Sequence, residues 1–527
     1  MKKNLSKRIA VILSAVLLLS LGMPAAFAAE ATETVITFTD DAATVSGASD
    51  GLSVKGTDVK ISASGVYRCT GACAQGTIVV KKNVKGVTLI LDGLTLSASA
   101  TAPITCNKGT EVEIVAAAGT VSTLADDKYN NDDLYSDETY PEIENAVIKC
   151  KDGSNVVLSG SGTIIINANG KNGIKGGADL YEEDADGNPT DTLLSAASLT
   201  IRDVTLQITA AVNDGLKADK ELNILSGTVT VSAAADGIKS DYTLNIGADG
   251  TAGPVINVTK STEGIEAATL NVYSGSVSVT ATDDGINAAN SDLTGYAFSY
   301  NQYGGFVRVN CTNGDGIDSN GTIRLNGGTL EVYSPAQGDG DPLDADGGTT
   351  FGGATVLAVG HNAMMQKYTA TTPYVTFGSA AGGPGGPGEP GGPGRNSAET
   401  EASSEVFGGG ATLVKAGSVI EIRDATGNTL YSATAVRDAS YIVFASPDLT
   451  SGAACTLTVN GSAAATANAT TASTDGMQPG DGPEMGDGEQ PGGILSAVLA
   501  YIRSVITWIS SMIQTIRSFF SQLNAAA

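Results

Sequence analysis

The chain has 527 residues, with 56 Asp and Glu against 30 Lys and Arg, a net charge of −26 and 5% aromatic residues. So acidic a balance argues against nucleic acid, which rewards basic surfaces, and suits an exported chain that meets divalent cations. A single histidine, His361, argues against a histidine-built metal centre or a Ser-His-Asp triad. Gly, Ala, Thr, Val, Ile, Asp and Asn dominate, in short β-branched runs broken by turn residues, which points to an all-β fold.

Residues 1–28 read as a secretory signal peptide. Lys2, Lys3, Lys7 and Arg8 precede an apolar run from Ile9 to Leu21, and Ala26-Phe27-Ala28 supplies small residues for cleavage. Ala29, not a cysteine, stands directly after the cleavage point, so a lipid anchor is not expected. The mature chain is expected to be secreted. Six cysteines, at 69, 73, 106, 150, 311 and 455, permit disulfides but are too sparse for a cystine framework.

Residues 29–380 carry a repeat. The clearest words are Asp214-Gly-Leu-Lys-Ala-Asp219 and Asp236-Gly-Ile-Lys-Ser-Asp241. Aligning the aliphatic residue gives Ile104, Ile148, Ile174, Leu216, Ile238, Ile265, Ile286, Ile317 and Leu343. Insertions at 125–144 and 178–197 lengthen two intervals, and SDLTGYAFSYNQYG lengthens a third; the rest run from 21 to 27 residues. Within each period two alternating runs recur, such as Leu222-Asn-Ile224 and Val229-Thr-Val231. Three short strands and three turns per period predict one coil of a parallel β-helix with like aliphatics stacked inside. Gly215 and Gly237 mark bends that call for positive φ.

Folding does not explain the charges. The residue before each glycine is Asp214, Asp236, Glu263, Asp284 and Asp315, with Asp341 in the same place before Pro342. Coils lie about 4.8 Å apart, so these acids form a column. Neighbours at that spacing repel by about 1 kcal/mol in water and by several at an effective dielectric constant near 20. Asp219 and Asp241 lie on the same edge. Later coils place Glu266, Asn287, Asp318 and Asp344 where earlier ones have lysine. Hard oxygen ligands without matching cations suit calcium, with Asp214, Asp236, Glu263, Asp284, Asp315, Asp318, Asp219 and Asp241 as candidate ligands. The bland alternative is that each Asp caps its own bend.

Lys149, Lys175, Lys217 and Lys239 share one slot on four successive coils. They form a cationic strip suited to uronic-acid polymers, or they balance the acid column. A lysine beside calcium would also serve as the base of a pectate-type elimination. Tyr296, Tyr300 and Tyr303, with Phe298 and Phe306, concentrate aromatics in the third insertion, either to stack on sugar faces or to form that insertion's own core. Tyr129, Tyr135 and Tyr140 pose the same choice more weakly in the first. Cys106 and Cys150 fall in one slot on neighbouring coils, within disulfide range, and Cys69 and Cys73 are candidates to close a small loop.

GVTLILDGLTLSASATAPI, ENAVIKCKDGSNVVLSGSGTIIINANGKNGIKGG, DGLKADKELNILSGTVTVSAAADGIKSD and GDGIDSNGTIRLNGGTLEVYS resemble the clostridial-type exported carbohydrate-binding domain proteins. The resemblance covers about residues 33–460. It implies a calcium-binding, pectate-lyase-like right-handed parallel β-helix that attaches to cellulose and acidic plant polysaccharides without a demonstrated catalytic role. Carried over, the acidic edge of the Asp-Gly-Ile turns would hold the calcium. Glu263, Pro342, the cysteines and the aromatic insertion depart from the pattern.

Residues 381–405 read as a Gly/Pro-rich loop or linker, 406–470 as a small β unit, and 471–493 as an acidic Pro/Gly linker. Residues 494–524 read as an amphipathic helix with Leu495, Ile502, Ile509, Ile516 and Leu523 repeating every seven. Its polar face argues against a membrane span. It would lie on a membrane or envelope surface, self-associate, or dock as a cap. The expected function is calcium-dependent, non-catalytic polysaccharide binding; the alternatives are a calcium-dependent pectate lyase and a structural surface protein.

Overall fold

A computed structural model describes residues 33–48, 50–136, 138–336, 340–362, 366–378 and 412–474. The expected signal peptide, the 381–405 linker, nearly all of 471–493 and the amphipathic helix lie outside the described residues. Those described form 41 strands and no helix. Of these, 35 belong to one large mixed sheet.

Most pairing in that sheet is parallel, between a strand and its counterpart one period later. Within one period the chain visits three ladders in turn, as in Glu221–Ile224, Thr228–Ala233 and the start of Ile238–Ile246. Alternation places apolar side chains on the inner side of each strand, so Leu222, Leu244 and Leu270 pair in register and are fully buried. Outside them Asn223, Asn245, Asn271 and Asn301 pass hydrogen bonds from amide to amide at 2.9–3.0 Å. All nine aliphatics aligned from the sequence pair in one ladder, Ile104 through Leu343. Ile78 and Val59 extend that row toward the N-terminus. Two antiparallel hairpins, Thr34–Phe38 with Ala43–Ser46 and Leu52–Lys55 with Asp58–Ile61, close the N-terminal end.

Three expectations are corrected. Gly215 and Gly237 do not have positive φ. They are glycines because a Cβ there would stand 2.2 Å from Val231 Cγ1 and 2.5 Å from Val258 Cγ1, and within 2.8 Å of the next repeat's glycine carbonyl. The stacked turns leave no room for a side chain.

Second, only the first half of SDLTGYAFSYNQYG is an insertion, because Ser299–Gln302 is a ladder strand. Tyr300 takes the inward place of Leu270 and is fully buried, so it is not a sugar-stacking residue. Its hydroxyl donates to Gln302 Oε1 at 3.0 Å, and Gln302 Nε2 donates to the Thr329 carbonyl at 3.0 Å. Inward polar atoms satisfied in this way break the apolar alternation that marks a strand.

Third, all six cysteines are free and buried. Cys106 and Cys150 do pair in register, as expected of one slot. Cys69 and Cys73 stand on either side of Gly71, whose φ of +93° bends the strand Gly65–Cys73, so Cys69 pairs with Leu91 in one ladder and Cys73 with Leu96 in the next.

The insertion around 126–145 packs its own rings, Tyr129, Tyr135 and Tyr140, with centroids 5.2–5.5 Å apart. The 178–197 insertion is an antiparallel hairpin, Leu180–Glu183 with Pro189–Ser195. Near the C-terminal end Tyr441–Ala445 joins the large sheet antiparallel, between Thr355–Gly360 and Tyr374–Gly378. A four-stranded antiparallel sheet made from Val419–Arg423, Thr429–Thr434, Ala454–Val459 and Ser462–Asn468 packs there over a second core with Tyr333, Phe377 and Phe444.

Candidate functional site

The acid column exists. The amides of Gly215, Gly237, Gly264, Gly285 and Gly316 donate to the carbonyls of Asp236, Glu263, Asp284, Asp315 and Asp341, which places those acids and Asp214 one above another. Their side chains also bind across repeats rather than within their own bends. Asp214 Oδ1 accepts the Asp236 amide at 3.2 Å, and Asp284 Oδ1 accepts the Asp315 amide at 2.7 Å. Asp315 Oδ1 accepts the Asp341 amide in the same way. Bonding between stacked turns, rather than capping of each acid's own bend, therefore accounts for part of the column.

Three residues beyond each acid, a second row faces outward in register: Lys60, Val79, Thr105, Lys149, Lys175, Lys217, Lys239, Glu266, Asn287 and Asp318. Its charge reverses between Lys239 and Glu266. On the cationic half, Lys175 and Lys217 reach Asp219 at 3.5 and 3.8 Å, and Lys217 reaches Asp241 at 3.6 Å. Asp219 and Asp241, expected as metal ligands, are thus lysine partners. Among the described residues Lys149 makes no ion pair; its Nζ donates to Asn145 Oδ1 at 3.3 Å. Burial and the neighbouring Lys175 charge push its pKa down.

At the reversal, Lys239 pairs with Asp236 at 3.0 Å and also with Glu266. Burial opposes its charge, but the two carboxylates hold its pKa above the ordinary lysine value. Asp236, Glu263 and Glu266 bring carboxylate oxygens within 4.8 Å of one another, and Asp315, Asp318 and Asp344 do the same two repeats further on. The groups differ in their cation: Lys239 sits on the first, whereas no ion pair is made by the second among the described residues. Burial, then the Asp344 charge, pushes Asp315 up to about 8; burial, then the Asp284 charge, pushes Asp318 up to about 7. Gln366 Nε2 donates to Asp344 Oδ1 at 2.9 Å and to Asp341 Oδ2 at 3.1 Å.

Of the expected ligands, Asp236, Glu263, Asp315 and Asp318 fall in these groups, and Asp214 and Asp284 remain in the column outside them. Glu266, Asp344 and Gln366 were missing from the expected set. The sequence signal for the first two is their place in the lysine slot.

Calcium is a fair test of the donor set. All donors in the second group are hard oxygens. Asn287, between Glu266 and Asp318 in the row, donates from Nδ2 to Glu263 Oε2 at 3.2 Å and has a buried Oδ1 with no hydrogen-bond partner. Carboxylates raised by burial and then by neighbouring negative charge, beside an idle acceptor oxygen, fit a cation.

Of the expected aromatic residues, Tyr303 is 48% exposed and stacks on Tyr273, with ring centroids 5.2 Å apart and planes 9° off parallel. Tyr296 is half-buried against Tyr242 and Phe298. Tyr242, next to Asp241, carries the Lys220 ammonium 3.9 Å from its ring centre.

Residues 55–302 match a family described as carbohydrate-binding domain-containing protein. A protein of that description from Acetivibrio thermocellus is 32% identical over 133 residues, which is 25% of this chain and 44% of the relative. The chain therefore spans under half the length of that relative. A solved structure, the polysaccharide lyase-like protein from C. thermocellum (gadolinium derivative), is 21% identical and covers 60% of this chain and 96% of its own, with a TM-score of 0.33.

Proposed function

We propose that the chain is an exported, calcium-dependent and non-catalytic binder of acidic plant-type polysaccharide, built on a right-handed parallel β-helix. The three parallel ladders visited once per period support the helical reading. The family match over 55–302 supports carbohydrate. The observation that carries the function is the outward row, in which four lysines in register give way to Glu266, Asn287 and Asp318. Lysines facing a polymer of uronic acids would pair with successive carboxylates, exchanging Asp219 and Asp241 for sugar. Asp315, Asp318 and Asp344 would hold a calcium ion, which supplies a bridging charge for a sugar carboxylate.

A lyase reading has one observation in its favour, the depressed pKa of the Lys149 amine. Six register steps separate Lys149 from Asp318, about 29 Å at 4.8 Å per step. A base that far from the candidate ion cannot share a substrate carbon with it.

The test is retention of the mature chain on polygalacturonate and on cellulose, with calcium and with chelator. Retention on polygalacturonate that chelator abolishes, while the circular dichroism spectrum holds, is expected. Retention indifferent to chelator removes calcium from the site, and no retention on either polymer leaves a structural protein. Ultraviolet-absorbing unsaturated products would establish the lyase.

A further inference from the structure

A cavity of about 470 Å³ opens near the C-terminal end, away from the lysine row. Its inner wall is Asn362, Gln366, Tyr368, Tyr374 and Tyr441, each no more than 9% exposed. Its rim, contributed by the segment after the four-stranded sheet, includes the exposed Asn468, Ala472 and Ser473. Wall and rim are sewn together. The Tyr374 hydroxyl donates to the Ala472 carbonyl at 2.9 Å, and the Tyr368 amide donates to Thr474 Oγ1 at 2.8 Å. Thr474 Oγ1 donates in turn to the Gln366 carbonyl at 3.0 Å. The cavity is therefore formed before any ligand arrives.

Two features specify an occupant. No described residue lining it is charged, in a chain whose net charge is −26. Asn362, 6% exposed, holds a buried Oδ1 that no described residue reaches. A buried acceptor without a donor is costly, and a ligand hydroxyl relieves it. Tyr368, Tyr374 and Tyr441 line the cavity beside it, and apolar rings next to an unpaired acceptor are the combination that receives a sugar ring.

We infer that this cavity is a second carbohydrate subsite, which takes an uncharged sugar residue with a hydroxyl donating to Asn362 Oδ1. The inference rests on the carbohydrate reading proposed above; the two sites meet at Gln366, a wall residue that also donates to Asp344. A chain with a cationic row and an uncharged pocket would hold a polymer in which acidic and neutral sugars occur together, or would hold two polymers at once.

The experiment titrates the mature chain with glucose, xylose, galactose and cellobiose by calorimetry and saturation-transfer NMR, alongside polygalacturonate retention. Two variants accompany the wild type: Asn362→Leu, which removes the acceptor, and Ala472→Trp, which blocks the exposed rim without touching the wall. At least one neutral sugar is expected to bind. Asn362→Leu should weaken that binding about tenfold, the worth of one buried hydrogen bond, and Ala472→Trp should abolish it. Both variants should keep polygalacturonate retention unchanged. Absence of binding by all four sugars, or binding that Ala472→Trp leaves intact, overturns the inference. Loss of polygalacturonate retention in the wild type would instead count against the lysine row alone.

Discussion

Replacing Gly264 with alanine tests the packing that holds the acid column in place. The new Cβ would lie 2.2 Å from the Gly285 carbonyl oxygen and 2.2 Å from Val279 Cγ1. Carbon atoms in contact normally sit about 3.5–4.0 Å apart, so both neighbours must retreat by more than about 1 Å. The methyl can turn away, but the carbonyl belongs to the next repeat's backbone. It accepts the Ile265 amide at 3.1 Å, beside the bond from the Gly264 amide to the Asp284 carbonyl at 3.0 Å. Overpacking costs about 1–3 kcal/mol, and two weakened backbone bonds about 0.5–1.5 kcal/mol each, so a loss of about 4 kcal/mol is expected. Urea unfolding would measure it. Hydrogen exchange should show protection lost first around Ile265 and Ile286, because stacked repeats depend mainly on their neighbours. Adding Val279→Ala removes the methyl clash but leaves the carbonyl, so it should restore less than half of the stability. A loss under about 1 kcal/mol, or full rescue by Val279→Ala, would refute the close-stacking argument.

With calcium chelated, Asp315 and Asp318, raised to about 8 and about 7, keep protons in the folded chain that the unfolded chain releases near the ordinary value of 3.8. Stability is therefore unaffected well below pH 4 and falls as pH rises toward 8, by about 1.4 kcal/mol per unit for one such group. Melting curves in chelator should show Tm lower at pH 8 than at pH 5, and calcium at pH 8 should restore it; a Tm indifferent to both would remove the cation from this group. Lys217→Glu reverses one charge of the row and should weaken polygalacturonate retention about tenfold at low salt, with the difference shrinking at high salt as exposed charges are screened. Equal retention at low salt would show that the row does not meet the polymer. Burial pushes the Cys69 and Cys311 thiols up to about 12, and all six cysteines are buried and free. A thiol reagent at pH 8 should leave the native chain unlabelled and label six sites after denaturation without reductant, whereas fewer sites would reveal a disulfide.

Much of the stacking was legible in the sequence because it is local and periodic. Ile104 to Leu343 could be aligned by words that recur every 21 to 27 residues, and the same alignment placed Lys149, Lys175, Lys217 and Lys239 in one row. The alignment stopped short of Ile78 and Val59, and it misread Ser299–Gln302, whose inward residues are Tyr and Gln. In each case the backbone kept its period while the side chains abandoned the pattern that advertises it.

The repeat period alone decided which residues lie above one another, since a parallel ladder carries each position onto its equivalent one repeat later. Lateral relations had no such rule. Asp219 and Asp241 meet lysines while Asp315, Asp318 and Asp344 meet one another, and this depends on how far each side chain reaches sideways from its turn. The glycine column shows the same limit from the other side, since its cause is a valine methyl in the adjoining ladder rather than a backbone angle. The uncharged cavity lay furthest from view, because its wall and rim come from segments about a hundred residues apart. Only closure of the C-terminal strands over the last repeats brings Asn362 and Ala472 to one opening, and no period in the sequence relates them.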